Sequence, residues 1–182
     1  IQRYYRSFKN QYVWYVPKNM IANKKTARPG EKERFEAEKI IVARMGKGIV
    51  ADYDNEDYYV KDGMLLLRKS SKTNLKCLLG ILNSKLINYY YKNYFITIDV
   101  LKNALVELPI VICSNEEEII LSNLVDEMRS LQSKIHKERL SGGEKERLEQ
   151  QIKNIDYEID QEVYKLYGIT KEEQKIIEES LK

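Results

Sequence analysis

Nine cations in the front of the chain have the chemistry to hold a polyanion: Lys24, Lys25, Arg28, Arg34, Arg44, Lys47, Arg68, Lys69 and Lys72. A guanidinium presents a planar fork that matches the edge of guanine, whereas an ammonium mainly neutralises phosphate. Their surroundings agree. Residues 1–76 carry 17 Lys and Arg against 9 Asp and Glu, and residues 114–182 carry 11 against 17, a gradient that the net charge of +3 conceals. The front is expected to lie along phosphates and the rear to be repelled by them. The opposing consideration is that Glu31, Glu33, Glu36 and Glu38 interleave with the loop cations, so that some of these are ordinary solvated charges.

Other chemistry is missing from the sequence. The three prolines follow Val16, Arg28 and Leu108, so no Asn-Pro dipeptide exists to start the Asn-Pro-Pro-aromatic loop with which amino-group methyltransferases hold a flipped base. The lone Gly46-Lys47-Gly48 lies between two strand-like runs and offers no helix N-terminus to an anion; it reads as a hairpin turn with a lysine at its tip. The one match to an acidic residue two before a lysine, Glu173-Gln174-Lys175, falls on a solvated helix rather than a nuclease strand. His136 is the only histidine and has no Cys or His at ligand spacing, which leaves neither a triad nor a zinc site. No catalytic, cofactor-binding or metal-binding residue is expected.

The elements that must position the cations follow from hydrophobic period. Tyr12 to Val16, Lys39 to Met45, Ile49 to Tyr53, Tyr58 to Val60 and Met64 to Arg68 are short, rich in β-branched and aromatic residues, and bounded by turn residues, which predicts an antiparallel sheet. Asn19 to Glu38 is a long polar loop in which Lys24, Lys25, Arg28, Lys32 and Arg34 are concentrated. From Asn74 the period becomes helical, and Asn83-Ser84 is placed to end one helix and cap the next. Leu105 to Cys113, with Pro109, predicts an edge strand or an extended crossing segment. Ser114 or Asn115 caps a helix with the stripe Leu121, Leu124, Met128, Leu131 and Ile135. After Ser141-Gly142-Gly143 the stripe Leu148, Ile152, Ile155, Ile159, Val163 and Leu166 returns, so the two form an antiparallel coiled-coil hairpin. Gly168 stops the second helix, and Thr170 with Glu173 makes a capping box for a last short one.

The 14 tyrosines offer stacking platforms for bases, but Tyr53, Tyr58 and Tyr59 fit strand faces and Tyr89, Tyr90, Tyr91 and Tyr94 fit a packed helix. Trp14 is likewise expected to pack. Cys77 and Cys113, each among apolar neighbours, are expected to be separate reduced thiols of a cytoplasmic protein. No apolar run approaches a membrane span, and a start at Ile1 without a leader suggests a piece of a longer polypeptide.

Four stretches together resemble one family: Ile1 to Tyr5 (IQRYY), Lys39 to Asp54 (KIIVARMGKGIVADYD), Leu78 to Tyr94 (LLGILNSKLINYYYKNY) and Ile155 to Glu179 (IDYEIDQEVYKLYGITKEEQKIIEE). They are similar to the C-terminal target recognition and specificity region of type II fused restriction-modification enzymes and related adenine methyltransferases, which is related to type I restriction specificity subunits. The most specific parts are Leu82 to Leu86 and Leu166 to Thr170. The resemblance implies a β-rich domain that reads double-stranded DNA, followed by a helical spacer. It implies also an upstream domain of the same polypeptide that binds S-adenosylmethionine and methylates adenine, sometimes with an endonuclease.

The fold expected is therefore α+β: a target recognition domain over residues 1–113 and a helical hairpin with a short terminal helix over 114–182. The expected partners are double-stranded DNA and the upstream methyltransferase domain, with no membrane, no metal and no cofactor in this chain. The rival reading is a protein-interaction or scaffolding module that docks through the hairpin.

Overall fold

The computed structural model describes residues 1–182 other than 9, 47, 61, 62, 70–73, 96, 98 and 182. Its strands are β1 (Lys39–Ala43), β2 (Ala51–Asp54) and β3 (Met64–Arg68), and its helices are α1 (Pro17–Asn23), α2 (Leu75–Asn83), α3 (Lys85–Tyr94), α4 (Lys102–Val106), α5 (Asn115–Lys137), α6 (Gly142–Leu166) and α7 (Lys171–Ser180). The class is α+β.

Among the described residues three of the five expected strands form, as one antiparallel sheet in the order β2-β1-β3. Tyr12 to Val16 and Tyr58 to Val60 are not strands. Both runs were expected as strands, but such a run becomes a strand only where a neighbour takes its backbone hydrogen bonds, and the Val16 N–H bonds instead to the Trp14 carbonyl within a local turn. Their rings are used in loop packing instead.

Register divides the sheet cleanly. On one face lie the cross-strand rows Tyr53–Ile40–Leu67 and Ala51–Val42–Leu65. They join α2 and the helices behind it in one apolar core with Leu79, Leu82, Leu121, Val125, Met128, Ile155, Ile159 and Val163. The expected stripes of α5 and α6 are thus spent within this chain, α5 against α2 and α6. Gly80 of α2 sits at the crossing: a Cβ there would stand 3.3 Å from Val125 and within 4 Å of Leu121 and Ile159, so any larger residue would require the Val125 side chain to give way by a few tenths of an ångström.

The opposite face carries the rows Asp54–Lys39–Arg68 and Asp52–Ile41–Leu66. Charges at strand positions normally face water, yet Lys39, Asp52 and Asp54 are buried, because the N-terminal segment and the loop before β1 cover this face.

Helix ends follow local rules closely. Ser84, Ser114, Ser141 and Thr170 each accept a bond from a backbone N–H of the first turn, the last three as reciprocal capping boxes with Glu117, Glu144 and Glu173. Gly168, at φ +66°, ends α6 in the left-handed conformation. The segment after α4 crosses without regular structure to Cys113. There the chain meets α2, and Cys77 and Cys113 come next to one another, with their Cα atoms 7.6 Å apart, wider than a disulfide usually spans. Nothing in the sequence announces this approach: the fold-back of residues 107–113 over α2 is a long-range event with no local signature.

Candidate nucleic-acid interface

Building the site starts from what fixes the front half in place. Asp54 is its hub. Its carboxylate accepts from Arg6 at 2.7 Å, from the backbone N–H groups of Glu56 and Tyr58 at 3.0 Å each, and pairs with the buried ammonium of Lys39. Arg6 also pairs with Asp52, which takes a second cation from Arg129 of α5 at 3.2 Å. Arg6 and Arg129 both donate to the Tyr53 carbonyl. Two carboxylates and three cations thereby compensate one another where water is excluded, the condition under which buried charge is tolerated.

Lys39 does more than balance Asp54. Its ammonium donates to the carbonyls of Phe35 and Ala37, which moors the end of the polar loop onto the sheet. An aromatic cluster moors its middle: Tyr15 and Phe35 lie 5.0 and 4.7 Å from Tyr59, and the Tyr15 hydroxyl donates to the carbonyls of Pro29 and Gly30. Tyr59 donates to Glu36 at 2.9 Å, and burial together with that bond pushes its phenol up to about 12. Glu36, paired with Lys32 at 3.0 Å, is held below the usual carboxylate range, first by Lys32 and then by Tyr59. The loop that sequence reasoning treated as one exposed stretch contains α1 and a single 3-10 turn at Lys32–Arg34.

On this frame Lys24, Lys25, Arg28, Arg34, Arg44, Arg68 and Lys69 are all exposed. Lys24 and Lys25 directly follow α1, Arg28 donates to the Ala27 carbonyl, and Arg34 closes the 3-10 turn. Arg44 follows β1 and lies 3.9 Å from Asp99, while Lys69 follows β3 and lies 4.0 Å from Glu38. Both contacts are at the limit of an ion pair. Among the described residues Lys24, Lys25, Arg28, Arg34 and Arg68 have no carboxylate partner. Arg68 and Lys69 line a shallow concavity with Ala37 and Glu38. Because Lys39 pairs with Arg68 and Ala43 with Met64, Arg44 and Arg68 flank opposite ends of the β1–β3 ladder, about 17 Å apart along a strand direction that rises ~3.3 Å per residue. Lys47 and Lys72 lie outside the described residues.

The sequence reading missed Arg6 and Lys39 as anchors of this frame, and it misplaced Trp14. Trp14 is 82% exposed and Tyr12 88% exposed, not packed. Tyr53 and Tyr91 are buried as expected, but Tyr58 and Tyr59 serve loop packing, and Tyr94 is exposed.

The stretches behind the family resemblance turn out to be the joint between sheet and helices. Tyr4 is buried and its N–H donates to the Ala51 carbonyl; Arg3 pairs with Asp156 of α6, and Tyr5 stacks on His136 of α5 at 4.3 Å. The Asn83 amide binds both the N–H and the carbonyl of Ala51, each at 3.0 Å, as a strand would. Asn88 accepts from the Ile49 N–H at 2.8 Å. The backbone N–H and the ammonium of Lys85 both bind the buried Asp160 of α6, at 2.8 and 2.9 Å, a carboxylate set at the N-terminus of α3 where the helix dipole favours it.

Among the described residues no group of three or more His, Cys, Asp and Glu side chains is placed to hold a metal ion, and no helix is long and apolar enough to cross a membrane. No curated protein matches the sequence. A family model described as the TaqI-like C-terminal specificity domain matches residues 1–110, which contain the whole sheet, the buried charge network apart from Arg129, and every exposed cation described above. With a match over more than half its length, through the very stretches that build its frame, the chain belongs to the TaqI-like C-terminal specificity domain family.

Proposed function

We propose that this chain reads a sequence in double-stranded DNA on behalf of a restriction-modification enzyme, without performing chemistry itself. The observation that carries the reading is a division of labour among its cations. Arg6 and Lys39 are consumed by buried carboxylates, while seven cations of the same basic half stand in solvent, five of them without a carboxylate partner among the described residues. Exposed lysines and arginines on a fixed frame are what counterion release and base-edge contact require. The family assignment supports the same role.

In this proposal Lys24, Lys25, Lys69 and, in the segments outside the described residues, Lys47 and Lys72 neutralise phosphates. Arg28, Arg34, Arg44 and Arg68 present forks to phosphates or guanine edges. Residues 1–113 do the reading, and the hairpin of residues 114–182 braces them. The duplex is positioned so that a separate domain of the same polypeptide, using S-adenosylmethionine, flips and methylates an adenine in the cytoplasm. Bracing is favoured over the docking of an outside protein because Leu121, Val125, Met128 and Leu131 are already buried within the chain.

The test is a titration of a labelled duplex pool of randomised sequence at two salt concentrations. Affinity that falls steeply with salt is expected, and affinity that survives reversal of charge at Lys24, Lys25, Arg28 and Arg44 together would overturn the reading.

A further inference from the structure

The cations leave Tyr12 and Trp14 without a role, and these are the two most exposed large apolar side chains among the described residues. Rings of this size are normally largely covered. Their exposure is imposed by the packing on either side. Tyr15 is seated against Phe35 and Tyr59 and bonded to two carbonyls. Trp14, next to it in the chain, stands 82% in solvent. A bond of 3.0 Å from the Val16 N–H to the Trp14 carbonyl closes a three-residue turn centred on Tyr15, and Pro17 opens α1 directly after it. On the other side Phe8 meets the Tyr12 ring at 5.4 Å and the Tyr58 ring at 5.5 Å. Tyr58 in turn lies under the Arg6 guanidinium at 4.3 Å, within the buried charge network. The Tyr12 ring is therefore supported from below through Phe8 and Tyr58, and the backbone of Trp14 is fixed by the turn that seats Tyr15.

Their setting names the occupant. Residues 1–30 contain seven Lys and Arg and no Asp or Glu. Lys18 sits in α1, Lys24 and Lys25 follow it, and α1 is only seven residues, about 10 Å. Arg3 is taken up by Asp156 and Arg6 by Asp52 and Asp54, but Lys18, Lys24, Lys25 and Arg28 have no carboxylate partner among the described residues. An apolar pair near these four in the chain fits a ligand with aromatic faces inside a shell of phosphates. That is a nucleic acid groove rather than a protein surface, where desolvating so many cations without carboxylates is unfavourable.

We propose that Tyr12 and Trp14 contact the bases of the bound duplex, Trp14 stacking on or wedging against a base step while Lys18, Lys24, Lys25 and Arg28 hold the flanking phosphates. The inference rests on the DNA-reading function proposed above and adds the side chains that reach the bases. They were not among the cations the sequence singled out.

Trp14 is the only tryptophan, so emission excited at the red edge of indole absorption, where the 14 tyrosines do not absorb, reports this one ring. The experiment measures duplex binding by anisotropy of a fluorescein-labelled randomised pool. In parallel it follows Trp14 emission and its quenching by acrylamide with the same pool unlabelled. Binding should quench the emission and shield the ring from acrylamide. Trp14→Ala should weaken binding about 5- to 150-fold, and Trp14→Phe should restore most of it. Circular dichroism of both variants confirms the fold, which an exposed ring does not support. Should the pool bind with undiminished affinity to Trp14→Ala while emission and acrylamide access stay constant, the inference fails and the DNA-reading function stands. Absence of duplex binding at any salt concentration removes both. A ring already shielded from acrylamide in DNA-free protein, in a concentration-dependent way, overturns the inference in favour of a protein contact.

Discussion

Lys39 and Asp54 stand opposite one another at the end of the β1–β2 ladder, both without solvent exposure, and form an ion pair where the polar loop before β1 is moored to the sheet. The pair is a mooring more than a source of stability, since replacing a buried ion pair by matched apolar groups is often neutral. Losing one partner is different. Asp54→Ala is expected to cost about 3–5 kcal/mol by stranding Lys39 and Arg6, read as a lower urea midpoint in circular dichroism. Adding Lys39→Met should return part of that loss, and a double variant no better than the single would contradict the assignment.

Asn83 stands in for a strand by bonding both backbone groups of Ala51. Asn83→Leu, similar in size but without an amide, should cost about 1–3 kcal/mol for each backbone group left unpaired. Lys24→Ala, at an exposed position, should fall within about 0.5 kcal/mol of the parent. Equal losses at the two positions in chemical denaturation would count against the division between frame and displayed cations.

Salt dependence separates the displayed cations from one another. Replacing Lys24 and Lys25 by alanine should lower the slope of log K against log salt by about 0.9 for each phosphate contact removed. Arg28→Ala or Arg44→Ala should weaken or relax recognition of the target by ~1–3 kcal/mol where a base edge is met. Selection from a randomised duplex pool followed by a salt titration measures both quantities.

The capping carboxylates give the helices an acid limit. Glu117 and Glu173 are held below the usual range chiefly by backbone N–H groups, of Ser114 and Thr170, and Glu144 chiefly by the Ser141 hydroxyl. A carboxylate whose folded pKa is depressed adds stability that is present above its unfolded pKa and disappears as the pH falls through the folded value. Helicity at 222 nm should therefore decline below the ordinary glutamate range. In the triple variant Glu117→Gln, Glu144→Gln, Glu173→Gln that part of the acid transition should be absent.

How far the sequence discloses this molecule depends on the range of the interactions involved. Ser84, Ser114 and Thr170 were legible as caps because the bonds they make span three residues, whereas Ser141 was read only as part of a Gly-rich turn, and β3 was legible end to end from its apolar run. Tyr12 to Val16 was misread because an alternating pattern cannot show that a neighbouring strand is there to take its hydrogen bonds, and the chain turns at Tyr15 instead. The burial of Lys39, Asp52 and Asp54 was invisible for a related reason: it depends on Arg6, more than 30 residues away, and on Arg129 in another helix. The exposed cations were found from composition alone. That two others of the same half are used up inside could be seen only in three dimensions.

Arg129 of α5 reaches Asp52 and the Tyr53 carbonyl, and Gly80 admits α5 and α6 against α2, although the family match ends at residue 110. For protein engineering this sets the cut. Transplanting residues 1–110 alone into another enzyme would carry the exposed cations but leave the back of α2 bare and Asp52 without its second cation, and such a chimaera should aggregate. A graft retaining the chain through Leu166 keeps the sheet and its helical support together.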